Sequence, residues 1–381
     1  MTHKQCPDMA AVEAFDNSLF GLVQGIDILD AVAPLNYQQQ RAEFFSANFS
    51  RNPEFVYARR DIDAFKRKRA LFNLPIDALD DDDLITLYSG VIESYVDKID
   101  QFKSIGTPDF LYDSLRYYGE PSEKDMRNAN FILHLPDSAN GQNDELLSAP
   151  QIVLALESFA RREGYEYQIK LDNSMIANAL VSGLVVKVNG TAQATQTEVD
   201  ALAHHELGVH LVTTLNARSQ GLKILSMGCP VNTMTQEGLA ILSEYFAGCM
   251  TLGRLKILAL RVLAVHSMIN EKDFKKTFLF LKEQHNVADA QAFTITARVY
   301  RAGGFTKDYL YLQGFHKMLN AYETRADFNN LLCGKVSIDY LPLITGLIDK
   351  GFLHAPGLIS PSIAAPVEND VIERFIAHAI K

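Results

Sequence analysis

Residues 195–217 read TQTEVDALAHHELGVHLVTTLNA, and this stretch decides how the rest of the chain is understood. Thr195 and Glu198 form a capping-box pattern, in which hydroxyl and carboxylate each satisfy a free backbone N–H, so a helix is predicted to start there. That helix carries His205, Glu206 and His210 in its interior. A hydrolytic metal site needs two neutral imidazoles on one side of a helix and a carboxylate beside the first to take a proton from water. The spacing is unusual. On a regular helix, positions i and i+5 stand about 140° apart, against about 40° for i and i+4. His205 and His210 face one ion only if the helix widens locally, which a π-bulge achieves. Gly208 tolerates such distortion, so a non-ideal turn is expected at 206–210. The alternative is a helix with two unrelated histidines, one packed and one solvated. His204 points away from His205 and reads as a supporting or exposed residue rather than a ligand.

A third ligand should come from a helix that packs on the first, and TQEGLAILSEYFAG at 235–248 is the best source. Thr235 reads as its N-cap, placing Glu237 in the first turn, where its charge faces the positive end of the helix dipole. Gly238 is expected to let the two backbones approach closely. Taken alone, Glu237 reads as a helix-start carboxylate; its place behind the histidine helix favours ligation. Glu244, two turns later, either orients a histidine or meets solvent.

Upstream, NFILHLP (130–136), YEYQIKLD (165–172) and SGLVVKVNG (182–190) read as strands, with IVLALESFARREG (152–164) a helix ended by Gly164. The last of these strands, just before the motif helix, is expected to be an edge strand or an ordinary core strand. An edge there would hold an extended peptide by main-chain bonds. Residues 137–150 have loop composition and are expected to form a mobile connection. Downstream the pattern is helical, and so is most of 10–120, where Asp80, Asp81, Asp82 and Asp83 stand ready to cap the next helix. The expected fold is α+β: a mainly helical region 1–125, then an α+β metal-dependent catalytic region 126–381 with a small mixed sheet packed by helices.

Composition narrows the function classes. Hydrophobic residues make up 48% of the 381-residue chain and charged residues 22%, as in an ordinary globular protein. The formal charge of −10 argues against a nucleic-acid binder, which needs a field of Lys and Arg. Cys6, Cys229, Cys249 and Cys333 are scattered without a CxxC pair, as expected of reduced thiols in a cytoplasmic protein. The acidic residues near the N-terminus break any signal-peptide core, and no apolar run reaches the ~18 residues of a membrane span. Partners are therefore expected to include neither nucleic acid nor membrane, and the oligomeric state is left open.

HELGVH (205–210), QEGLA (236–240) and RVYRAGGFTKDYLYLQG (298–314) occur in order, and together they resemble the microtubule-associated tyrosine carboxypeptidase family. Its bacterial relatives are labelled flavohemoglobin expression-modulating QEGLA-motif proteins. The likeness runs over residues 30 to 355 and is densest from 195 to 315. It implies a zincin-like metallopeptidase in which His205, His210 and Glu237 bind Zn2+ and Glu206 is the catalytic acid/base. It also implies a carboxypeptidase acting on a peptide or protein C-terminus, though nothing in the sequence identifies tubulin. A carboxypeptidase must hold a terminal carboxylate, for which Arg298, Arg301 and Lys307 are candidates, with ion pairs pinning a loop as the alternative. Tyr300, Tyr309 or Tyr311 is a candidate oxyanion donor. Gly303 and Gly304 are expected to let that loop approach the site. The competing functions are a metal-dependent amidase or deacylase on a small molecule, and a non-catalytic regulatory protein with a structural metal.

Overall fold

The sequence switches hydrophobic period only briefly, and the fold follows it: among the described residues β structure is confined to 147–194, with helices before and after it. The computed structural model describes residues 9–58, 61–136, 145–173 and 175–381. The protein is a helix-rich α+β structure with two small sheets. In one, β1 (Leu147–Ser148) pairs antiparallel with β5 (Gln193–Ala194). In the other, β2 (Gln168–Leu171), β3 (Ala179–Ser182) and β4 (Val185–Val188) lie in the order β2-β4-β3. β4 runs parallel to β2 and antiparallel to β3.

Of the two alternatives for 182–190, the core strand holds: the segment supplies the central strand β4, and the edge beside the motif helix is β3. NFILHLP is not a strand; most of it ends the helix Glu123–Leu133. A Ser122–Asp125 capping box starts that helix, and Asp125, Ala129 and Ile132, at i, i+4 and i+7, bury one face. Helical periodicity thus overrides the strand preference of three consecutive apolar residues. The helix Ala149–Glu163 behaves as expected, opened by a Ser148–Gln151 capping box and closed by Gly164 in the left-handed conformation. Of the loop expected at 137–150, residues 137–144 lie outside the described residues. Asp81 caps the helix Asp82–Ser104 by accepting from the N–H groups of Asp83 and Leu84.

The apolar side chains form two buried clusters. The larger unites residues from Val12 to Ile132 with others from Val209 to Ile380. At its N-terminal end Phe44 packs against Phe274, Phe278 and Phe293, with ring centroids 4.9–5.4 Å apart. The smaller cluster lies between the sheet, the helix Ala149–Glu163 and the motif helix, which contributes Val199, Ala203, Leu207, Leu211 and Val212. The motif helix is therefore wedged between both clusters, and its register is fixed from two sides. Among the described residues no helix is long and apolar enough to cross a membrane.

Candidate metal centre

The capping box at Thr195 forms as the sequence predicts and opens the helix Gln196–Leu202. The chain then runs as π-helix over Ala203–Leu211 before returning to α-helix at Val212–Ser219. The Val212 N–H reaches back five residues to the Leu207 carbonyl, and this widening turns His210 toward His205. Their ring centroids stand 5.0 Å apart with planes at 73°.

Glu237 reaches the same point from the helix Thr233–Phe246, though by another route than expected. The N-cap is Asn232, so Glu237 sits in the second turn, beyond the strongest part of the helix dipole. Thr235 instead accepts a hydrogen bond from the Ile338 N–H, at 2.9 Å. Gly238 serves a close approach, but to the helix Leu310–Thr324: a Cβ there would lie 2.4 Å from the Gly314 carbonyl carbon.

Three ligand atoms converge, those of His205, His210 and Glu237, all within 4.8 Å of one another. Glu237 Oε2 lies 3.6 Å from His205 Nε2 and 3.6 Å from His210 Nε2. Bonds of ~2.0–2.1 Å in tetrahedral geometry separate ligand atoms by about 3.4 Å, so these distances fit a single ion. Glu237 Oε2 is buried and has no hydrogen-bond partner, whereas its Oε1 accepts from Lys307 Nζ at 2.6 Å. A buried carboxylate oxygen without a partner is costly, and a cation between the three groups would satisfy it. The donor set of two imidazoles and one carboxylate suits zinc chemistry.

The electrostatics of these side chains are polarised. Burial alone would depress the His205 imidazole, but the carboxylates of Glu237 and Glu244 outweigh it and raise it to about 10. Burial lowers His210 to about 4. Glu237 would be raised by burial, yet Lys307 and the two histidines hold it well below the usual carboxylate range. Glu206, whose Oε1 lies 4.0 Å from His205 Nε2, is pushed by burial up to about 7. His205, Lys307 and, least, the Val181 backbone on β3 pull the other way.

Behind these groups, Glu244 Oε1 accepts from His205 Nδ1 at 2.7 Å, which leaves Nε2 as the nitrogen facing Glu237 Oε2. Arg254 grips the same carboxylate with two bonds of 2.8 and 2.9 Å. Burial would raise Glu244, but Arg254 and His205 bring it down to about 2. His204 lies on the far face, edge-on to Phe159 at 5.0 Å, with burial lowering its pKa.

The family model of the microtubule-associated tyrosine carboxypeptidases matches residues 42–381. The chain belongs to that family. A Mus musculus protein named "Putative tyrosine carboxypeptidase MATCAP2" is 24% identical over 332 residues, covering 82% of this chain and 54% of its own length. The chain thus spans about half the length of that curated relative. A solved structure titled "The crystal structure of the putative lipoprotein from Colwellia psychrerythraea" overlaps 82% of this chain and 65% of its own, at 16% identity and a TM-score of 0.40.

In this member of the tyrosine carboxypeptidase family, the three cationic candidates lie in different surroundings. Lys307 is buried and bonded to Glu237 and, at 2.8 Å, to the Tyr311 hydroxyl. Arg298 is buried in a two-bond pair with Asp308. Arg301 lies 4.7 Å from the centroid of Phe305, its Nε buried and unbonded. Tyr300 bonds Thr277 and Tyr309 bonds the Tyr118 carbonyl, which leaves Tyr311 as the one of the three beside Glu237's partner Lys307. Gly303 and Gly304 bring the loop against residues 107–111 of the N-terminal region: a Cβ on Gly303 would lie 2.3 Å from the Thr107 carbonyl oxygen.

Arg254, Lys335 and Tyr118 escape sequence reasoning. Burial and then Tyr117 raise the pKa of Tyr118, Arg301 opposes them, and Asp27 and Glu237 add smaller pushes upward. Lys335 donates to the His210 carbonyl at 3.0 Å, and burial lowers its pKa to about 8. Isolated cations in helices and loops carry no periodic signal. Gln236, inside the QEGLA stretch, stood in plain view without a role.

Proposed function

We propose that the protein is a zinc-dependent carboxypeptidase of zincin-like architecture that removes a C-terminal residue from a peptide or protein. The observation that carries this reading is the convergence of His205, His210 and Glu237 around an unpartnered carboxylate oxygen, with Glu206 alongside. A bound zinc ion supplies Lewis-acid polarisation of a carbonyl and acidifies water. Glu206 takes the proton from the attacking water and passes it to the leaving amine. Glu244 holds His205 in the tautomer that offers Nε2, and Lys307 keeps Glu237 Oε1 occupied so that Oε2 faces the ion. The free side of the edge strand β3 offers main-chain groups to an extended peptide. Arg301, which has no carboxylate partner among the described residues, is the candidate to hold the terminal carboxylate, with Lys307 and Arg298 already engaged.

The test uses a peptide library with free and amidated C-termini, together with metal analysis. Wild type binds one equivalent of zinc and shortens only the free-ended peptides by one residue. Glu206→Gln keeps the metal and loses at least ~10³-fold in kcat; alanine at His205, His210 or Glu237 loses the metal. Cleavage of amidated ends at equal rate would point to an amidase instead, and a Glu206→Gln variant as fast as wild type would remove the base.

A further inference from the structure

A π-turn is an unstable register. Where the helix returns to α, its donors are shared rather than paired one to one: the Val212 N–H is split between the Leu207 and Val209 carbonyls. The next carbonyl, that of His210, accepts from Thr214 Oγ1 at 2.8 Å and Lys335 Nζ at 3.0 Å, while the single Thr213 hydroxyl proton is shared between it, at 3.2 Å, and the Val209 carbonyl, at 2.9 Å. Threonine back-bonding is common in helices, but an ammonium group from 125 residues away is not. Lys335 also donates to Thr213 Oγ1 at 2.8 Å, so one cation ties the ligand's own carbonyl to the first turn of the α-helix beyond it.

The segment bearing Lys335 is itself clamped. Its N–H donates to the Leu225 carbonyl and its carbonyl accepts from Cys229, both at 2.9 Å. Gln236 Nε2 donates to the carbonyls on either side, Gly334 at 3.3 Å and Val336 at 3.1 Å. Gln236 is buried and adjoins Glu237. One helix turn therefore supplies both the carboxylate of the metal centre and the side chain that anchors the lysine.

We propose that Lys335, held by Gln236, is the positioning residue that fixes the wide register of the motif turn and so presents His210 to the ion. This rests on the metal-centre reading above. The ammonium group adds a charge-assisted bond to the carbonyl where the register changes and ties it to Thr213, and the Gln236 bonds set where that ammonium stands. The QEGLA glutamine thus serves the histidine helix at one remove.

The test takes the full chain, strips it of metal, and measures zinc affinity by competition with a chromophoric chelator and the visible spectrum of the cobalt(II)-loaded protein. It also measures amide hydrogen exchange over 211–215. Lys335→Met is expected to raise the zinc Kd at least tenfold, alter the cobalt bands and speed exchange in that segment at least tenfold. Lys335→Arg is expected to recover most of the affinity. Phe293→Leu, a truncation in the distant aromatic cluster, controls for general loss of stability and keeps the wild-type Kd. A Lys335→Met protein with Kd within twofold of wild type and unchanged bands overturns the proposal, as does an equal loss in the control. If Lys335→Met does not fold, Gln236→Leu is measured the same way, with the same two outcomes. If wild type takes up no ion, the metal reading fails separately, and exchange over 211–215 alone decides whether the lysine holds the turn.

Discussion

Glu206 carries opposite demands in the metal-free and working protein. A base must be ionised, yet burial raises its pKa from 4.5 to about 7. Folding therefore favours the protonated form, so its ionisation costs stability progressively as pH rises from 4.5 through 7. Metal-free Glu206→Gln should accordingly match wild type at pH 4 and exceed it at pH 8 by on the order of 2–3 kcal/mol. Urea denaturation of the stripped proteins at the two pH values reads this directly, and a constant difference would contradict it. Arg301 belongs to the same scale. If it holds the substrate carboxylate, Arg301→Gln raises KM for free-ended peptides by about 10–100-fold with kcat little changed; steady-state kinetics decide, and a pure kcat effect would point to the loop instead. The histidines and Glu237 were legible because metal ligation demands particular residue types at particular spacings. Arg254 and Lys335 were not, because a lone cation in sequence looks the same whether it meets solvent or a buried carbonyl.

At the scale of elements, the i, i+5 spacing predicted a widened turn, and the π-helix Ala203–Leu211 is its physical answer. The capping boxes at Thr195 and Ser148 also stood in the sequence, because they are local. Glu123–Leu133 was misread because a short apolar run is equally compatible with either period, and its burial pattern depends on partners far along the chain. Which neighbour Gly238 approaches was equally hidden. The helices Thr233–Phe246 and Leu310–Thr324 touch backbone to backbone at Gly238 and Gly314, with room for no methyl group between them. Gly238→Ala should force them apart and cost at least ~2 kcal/mol. Chemical denaturation measures the loss, and zinc affinity should fall with it, since Glu237 adjoins the contact; a variant as stable as wild type would show that the helices slide without penalty.

Across the whole molecule, α+β content was legible in the sequence, but the distribution of the core is a long-range property. Apolar residues from Val12 to Ile132 share one buried cluster with residues from Val209 onward. The N-terminal region also reaches the loop after Tyr300: Tyr57, between the helices Tyr37–Ser46 and Ala64–Phe72, accepts the Ala302 N–H at 2.6 Å, beside Arg301. We propose that 1–125 does not fold apart from the rest. A chain beginning at 126 should lose cooperative unfolding and bind a hydrophobic dye, whereas a sharp calorimetric transition in that fragment would establish an independent catalytic domain.

Lys307 against Glu237 and Arg254 against Glu244 give each acidic group behind the histidines its own counter-charge. Two carboxylates of the proposed centre are thus neutralised from within the fold. If an ion binds there as proposed, we expect the chain to stay folded when a scavenger removes it and to take up another directly. Its loading would then track whatever transition metal its surroundings offer at the moment, rather than the supply at the time of synthesis.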